Sequence, residues 1–215
     1  EDKINQSGLY NYLYEHNSTW PTLQNMIDND MKLFSLEEFK QMKEAFKVNF
    51  INSLSGFESS NLIGTINSES QPNLGLTSAC FHLGADPAVI GLAVSPLHVE
   101  PQTIKNLIEQ ESFTINHVDK SQYKKRENPH LYFTHDFSDV NPNAFTEFYT
   151  GSIEAPYAAE ALIKIGLLKK ECIAIKETNS YVLVGSIQEV LLDETLIGDD
   201  GRINPELVES HLRKI

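Results

Sequence analysis

The sequence predicts a mostly β fold, a barrel or sandwich of short strands with flanking helices. Short strand-like runs follow one another between residues 61 and 118, separated by turn signals of Gly, Pro, Asn and Asp. A second group of strand-like runs occupies residues 161–192. Amphipathic helical patterns precede the first group and follow the second. Close spacing of short strands with turns between them is typical of barrels and sandwiches.

The overall composition indicates a globular domain with its own core. The chain has 215 residues, of which 40% are hydrophobic and 22% charged, and this length can bury a full core. The net charge of −13 argues against nucleic acid or an anionic membrane surface as a partner. Cys80 and Cys172 lie far apart, so we predict neither a disulfide framework nor a structural metal site. With no apolar run of membrane-spanning length and no signal-peptide pattern, we expect a cytoplasmic protein.

The first thirty residues form a predicted N-terminal extension, and the predicted domain is 31–215. Residues 1–30 are polar with scattered aromatic side chains, namely Tyr10, Tyr12, Tyr14 and Trp20. Aromatic side chains in a polar stretch usually rest on a neighbouring surface. We therefore expect an extension packed against the domain or a dimer mate. The alternative is a lid over a ligand site.

A helix is predicted to begin after Ser35. Ser35 is suited to the N-cap position, and Glu38 stands three residues later, which is the capping-box spacing. Apolar side chains recur at helical spacing from Leu36 to Phe50. This stripe predicts a helix docked on a sheet.

The first group of strands surrounds one short helix. Residues 67–72 and 84–87 carry turn signals, and Pro101 begins a helical pattern that runs over Pro101–Glu109. The strands are predicted at residues 61–66, 74–83, 89–94 and 113–118.

The rest of the chain mixes an irregular stretch with further strands. Residues 120–149 predict a loop with one or two helical turns, in which His130 and His135 share no helical face and favour solvated side chains over a metal pair. Strand-like runs then follow, with a hairpin turn at 178–180 and another turn at 199–201. The runs are 161–170, 171–178 and 181–192, and a helix begun by Asn204-Pro205 covers 205–215.

Common catalytic and nucleotide-binding motifs are absent from the sequence. It contains no Gly-rich dinucleotide fingerprint, no phosphate-binding loop and no nucleophile elbow. Ser55, Ser59 and Ser60 have no recognisable partner base, so we interpret them as turn-forming residues. We therefore predict no metal ligand and assign no catalytic residue.

Several stretches together resemble the flavin reductase-like family of FMN-binding split barrels, especially its flavoredoxin-type branch. The similarity extends over residues 31–35 and 50–118 and returns at 154–157 and 179–187. The stretches that carry it are INSLSGF at 51–57, NLIGT at 61–65, FTINHV at 113–118, EAPY at 154–157 and VGSI at 184–187.

The resemblance implies a split β-barrel and an FMN-binding flavoprotein. Members reduce free flavin with NAD(P)H or carry electrons on bound FMN, and the flavin lies between the barrel and a dimer mate, so a homodimer is expected. Backbone groups near Asn61, Leu62 and Ile63 would hold the isoalloxazine edge. The remaining cofactor-binding residues that the resemblance implies are Asn73, Thr77, Ser78, Ala79 and Thr103.

The chain departs from the family pattern at positions that face the flavin phosphate in relatives. Relatives have Arg-Pro where this chain has Ser95-Pro96, and Arg-His-Thr where it has Pro101-Gln102-Thr103. Arg binds a phosphate with two parallel hydrogen bonds. Three alternatives therefore stay open: Lys124, Lys125 and Arg126 replace the lost charges, the chain is a non-catalytic binding module that has lost its flavin, or it binds another cofactor such as haem or a deazaflavin. The choice between FMN and FAD also stays open.

Overall fold

The structure is a computed structural model that describes residues 31–54, 60–77, 80–118, 132–134, 144–204 and 208. The predicted extension, the Lys124–Arg126 cluster, His130 and His135 lie outside these ranges. Of the predicted helix 205–215, only Val208 lies within them, and Val208 is helical.

A short strand and two helices open the described chain. Strand β1 (Met31–Ser35) was not predicted, and it leads directly into helix α1 (Leu36–Gln41). The capping box is confirmed, because the Ser35 hydroxyl accepts from the Glu38 amide and the Glu38 carboxylate accepts from the Ser35 amide.

The prediction of a single helix is wrong, because two helices stand in its place. The backbone of Met42 is extended and ends α1, and helix α2 (Glu44–Leu54) begins two residues later. Periodicity alone did not reveal this break. The change of direction lets Phe50 pack against Phe34 and Phe39, with ring centroids 5.0 and 6.1 Å apart.

Eight strands form one large, antiparallel sheet, as expected for a mostly β fold. Besides β1, its strands are β2 (Ser60–Ile66), β3 (Pro72–Thr77), β4 (Cys80–Ala85), β5 (Ala88–Val94), β6 (Ser112–Val118), β10 (Ile163–Ile175) and β11 (Ser180–Asp193). The strand order is β3-β2-β6-β10-β11-β5-β4, and β1 pairs with β11. Helix α3 (Pro101–Glu109) has the predicted bounds and contacts β2 and β3.

Two predicted strand divisions are wrong. Residues 74–83 were predicted as one strand, but β3 pairs with β2 and β4 pairs with β5, at opposite ends of the sheet. Residues 161–178 were predicted as two strands, but β10 is continuous over Ile163–Ile175. In both places the local pattern is strand-like throughout, so only the pairing partners decide where a strand ends.

The loop predicted for residues 120–149 contains strands in its described part, so that prediction is also wrong. Strand β7 (Tyr132–Thr134) runs parallel to β8 (Ala144–Phe148), and β8 pairs with β9 (Tyr157–Ala158). The segment 144–161 covers the outer face of the large sheet, where Phe145 and Phe148 are buried.

A β-bulge changes which side chains of β11 face the main core. Gly166 pairs with Glu189, whereas the next residue, Leu167, pairs with Ile187, so Gln188 is an extra residue. Before the bulge Leu183 and Ile187 belong to the main core, and after it Val190 and Leu192 do. Leu191 therefore belongs to the outer cluster instead.

Within the described ranges, no helix combines the length and the apolar character that crossing a membrane requires.

Candidate functional site

The β2–β3 hairpin carries most of the predicted site residues that the structure describes. Asn61 pairs with Thr77 at one end, and Thr65 pairs with Asn73 four residues further along. Four residues of strand span about 13 Å. The hairpin thus places Asn61 and Thr77 together and holds Asn73 at a distance from them. Ser78, Ala79 and the side chain of Thr77 lie outside the described part.

Asn61 is a buried polar residue with an unsatisfied acceptor. Its exposed fraction is 1%, and its side-chain Oδ1 has no hydrogen-bond partner among the described residues. A buried acceptor without a partner costs about 1–3 kcal/mol. Most buried polar groups in folded proteins are satisfied, so this atom points to a missing donor.

His117 lies directly across from Asn61 on the neighbouring strand β6. Its Nε2 lies 2.9 Å from the Leu54 carbonyl oxygen. Burial lowers the pKa of His117 from 6.5 to about 4, although the hydrogen bond to Leu54 opposes this shift. The imidazole is therefore neutral at pH 7, and it fixes the end of α2 to the sheet beside Asn61.

Leu62 and Ile63 are fully buried on opposite faces of β2. Ile63 belongs to the main core, and Leu62 belongs to an outer cluster with Phe145 and Ala158. Strand β2 is paired on both sides, with β3 and with β6. The side chains of Leu62 and Ile63 thus pack within the protein. A flavin contact through the backbone of these two residues stays a prediction.

Asn73 and Thr103, both predicted cofactor-binding residues, contact each other. Asn73 Nδ2 donates to Thr103 Oγ1 at 2.7 Å and to Thr65 Oγ1 at 3.2 Å. Thr103 is fully buried and packs so closely over Gly75 that a Cβ there would lie 2.6 Å from its hydroxyl. The predicted contact between Thr103 and a flavin phosphate stays a prediction.

Sequence reasoning missed the amide side chains that complete this network. Asn106 Nδ2 donates to Thr65 Oγ1 at 3.1 Å, and Gln102 Nε2 donates to Asn106 Oδ1 at 2.7 Å. The network joins α3 to β2 and β3 with neutral groups. An Asn on the buried face of an amphipathic helix was the available signal.

Asn116, another residue that the sequence prediction missed, joins β6 to the segment 144–161. Its Oδ1 accepts from the Ala158 amide at 3.0 Å, and its Nδ2 donates to the Leu62 carbonyl at 3.2 Å. The neighbouring Thr114 hydroxyl donates to the Pro156 carbonyl at 2.6 Å. These bonds hold the EAPY stretch and the following Ala158 against β6, and the Asn116 side chain links them to the backbone of β2.

Glu189 and Lys164 are ionisable side chains that are buried on the outer face, away from the hairpin. Glu189 accepts hydrogen bonds from the Tyr157 and Thr150 hydroxyls. Lys164 is fully buried and donates to the Ala161 carbonyl. Burial lowers the pKa of Lys164 from 10.5 to about 7, although the Glu160 carboxylate opposes this shift.

No protein-family model matches the chain, and the search of curated proteins also found no match. Among solved structures, the chain is similar to a protein described as a flavin reductase with a split barrel domain, from Shewanella frigidimarina. The two are 30% identical over 81% of this chain and 87% of that chain, with a TM-score of 0.60.

Two further structures show the same fold at lower identity. A flavoredoxin from Methanosarcina acetivorans is 21% identical over 69% of this chain and 75% of its own, with a TM-score of 0.53. An FMN-binding protein from Thermus thermophilus is 20% identical over 68% of this chain and 77% of its own, also with a TM-score of 0.53. The predicted split β-barrel is confirmed, and the chain belongs to the flavin reductase-like family of split-barrel proteins.

Proposed function

We propose that the protein is a cytoplasmic FMN-binding flavoprotein that reduces flavin with NAD(P)H or passes electrons through bound FMN. The observation that carries the proposal is the 30% identity to the Shewanella protein over 81% of this chain. FMN, when bound, accepts hydride from a reduced nicotinamide and passes the electrons on. We further propose a homodimer with the flavin between barrel and mate.

The residues present fit a flavin at the β2–β3 hairpin. The isoalloxazine has flat apolar faces, two carbonyls and a ring N–H, so it needs apolar walls and a few polar partners. The buried Asn61 Oδ1 offers an acceptor that the protein leaves unsatisfied. The groups that would hold FMN are Asn61, the backbone of Leu62 and Ile63, Asn73, Thr77, Ser78, Ala79 and Thr103.

A second candidate function is that of a split-barrel homologue that has lost flavin binding and acts as a non-catalytic binding module. One observation favours it: the Thr103 hydroxyl is fully buried and accepts from Asn73. Thr103 corresponds to a residue of the phosphate-binding segment in relatives, and here its hydroxyl stabilises the fold by binding Asn73. Ser95, Pro101 and Gln102, at the positions where relatives have basic residues, carry no charge.

An absorbance spectrum of the purified protein, followed by FMN titration, separates the two candidates. Flavin bands in the near-ultraviolet and blue, or quenching of FMN fluorescence at one FMN per protomer, support the first. Consumption of NADH or NADPH with added FMN then tests the reductase activity. A colourless protein that leaves FMN fluorescence unchanged contradicts the first candidate and supports the second.

A further inference from the structure

A groove opens between β1, helices α1 and α2, and the segment 194–199 that follows β11. Its volume of about 610 Å³ is within the usual range of small-molecule sites, roughly 300–1,000 Å³. None of the predicted cofactor-binding residues within the described part of the chain lines it. The proposed function thus leaves this space, the α1–α2 groove, without a role.

The floor of the α1–α2 groove is apolar. Phe34 belongs to the main core, and Met42, Phe46 and Ile197 pack against that core while they stay partly exposed. The Phe46 ring is supported from below by Phe50, with ring centroids 6.3 Å apart. A ligand with a flat apolar body would cover these side chains and remove their apolar surface from water.

The charged residues of the groove leave an excess of negative charge. Three carboxylates and one ammonium group line it. The ammonium of Lys32 lies 2.8 Å from the Glu194 carboxylate, and the Glu38 carboxylate accepts from the Ser35 amide in the capping box. The Asp199 carboxylate has neither a hydrogen bond nor an ion pair with any described residue. The groove therefore favours a positively charged occupant.

One side of the groove already shows how a cation is held there. Lys32 Nζ lies 4.8 Å from the centroid of the Phe34 ring while it pairs with Glu194. An aromatic face together with a carboxylate is a combination that binds organic ammonium ions. Phe46 and Asp199 supply a second ring and a second carboxylate, and the described lining contains no second cation.

We propose that the α1–α2 groove binds a small organic ammonium ion with a flat apolar body. The body covers Met42, Phe46 and Ile197, and the ammonium group pairs with Asp199. A neutral molecule of the same shape gains only the apolar contact, and an anion is repelled. The proposal does not depend on flavin binding, so its failure would leave the proposed function unchanged.

The first experiment compares three probes of similar shape and different charge: 2-phenylethylamine, 2-phenylethanol and 3-phenylpropanoate. Each is titrated into the full chain at neutral pH and low salt, and binding is measured by calorimetry. We expect the amine to bind at least about tenfold more tightly than the alcohol, because an ion pair and a cation–π contact together correspond to about that ratio. Equal affinities of amine and alcohol, or no binding of the amine, would overturn the proposal.

The second experiment assigns the amine to the groove by a matched pair of variants. Asp199→Asn removes the unpaired carboxylate, and we expect the amine to bind at least about fivefold more weakly. Asp200→Asn removes the same charge from the next residue, which does not line the groove, and it keeps the oxygen that accepts from the Arg202 amide. Equal weakening in both variants would show that the overall net charge of −13 attracts the amine, and the proposal would be wrong.

Lys32→Met tests the sign of the effect in the opposite direction. It removes the resident ammonium, frees the Glu194 carboxylate and uncovers the Phe34 ring. We expect the amine to bind at least about threefold more tightly, because the groove gains one negative charge. The urea midpoint should stay close to that of the wild type, since a partly exposed ion pair contributes little to stability. An unchanged or lower affinity for the amine would contradict the proposal.

Discussion

Replacing Gly64 with Ala tests the contact that holds the EAPY stretch against β2. A Cβ at this position would overlap the Pro156 carbonyl oxygen and the Thr114 hydroxyl. These two groups share a buried hydrogen bond of 2.6 Å, so the methyl group must separate them or displace the strand. Overpacking costs about 1–3 kcal/mol. A buried hydroxyl without its partner costs about 1–3 kcal/mol more.

We therefore expect Gly64→Ala to lower the free energy of unfolding by about 4 kcal/mol, a large part of the roughly 5–15 kcal/mol of a typical domain. Urea unfolding followed by circular dichroism measures this. Gly198→Ala is the control, because the nearest atom to its Cβ is the Asp200 side-chain oxygen at 3.3 Å, which has to move by only a few tenths of an ångström. A loss below about 1 kcal/mol in Gly64→Ala, or one equal to that of the control, would refute the reasoning.

Three further substitutions test other buried polar groups. The pKa of His117 is about 4 when folded and 6.5 when unfolded, so stability should fall by about 3 kcal/mol as the pH drops from 6.5 to 4, and His117→Gln should lack this dependence in urea unfolding. The pKa of Lys164 is about 7 when folded and 10.5 when unfolded, so stability should rise by about 5 kcal/mol between these pH values, and Lys164→Met should abolish the rise. Thr103→Val should cost about 1–3 kcal/mol in urea unfolding, because Asn73 loses an acceptor at 2.7 Å.

Each of these expectations has a contradicting result. Equal acid sensitivity of wild type and His117→Gln would show that other groups dominate between pH 4 and 6.5. A wild-type stability that stays constant from pH 7 to 10 would mean that Lys164 is charged in the folded protein. If Thr103→Val weakens FMN binding without changing the urea midpoint, its hydroxyl contacts the flavin rather than the network.

The signals that the sequence predicted correctly were local. The capping box at Ser35 and Glu38 and the helix that begins at Pro101 were found in place, because such signals depend on neighbours a few residues away. The turn at 199–201 was also confirmed, with Gly201 at a φ of 85° that only a residue without a side chain adopts readily. The family resemblance predicted a split barrel. The spacing of the strand-like runs alone predicted only a barrel or a sandwich.

The site was predicted only in part, because its polar contacts join distant positions. Asn73 was expected at a flavin, and the structure shows its amide nitrogen donating to Thr103, thirty residues away. Asn106 and Asn116 were missed, because a polar residue within an apolar pattern does not show which group satisfies it. The unsatisfied Asn61 acceptor was equally invisible in the sequence.

What the sequence by itself determined is the class of fold, through strand-like runs, turn residues and helix caps that act over short distances. What only the tertiary structure decided is which strands pair and which face each side chain takes. The bulge at Gln188 is the clearest case, because one extra residue reverses the side-chain alternation of a strand. It moves Val190 and Leu192 into the main core and places Leu191 outside. That choice depends on the partner strand, so no pattern within β11 could have predicted it.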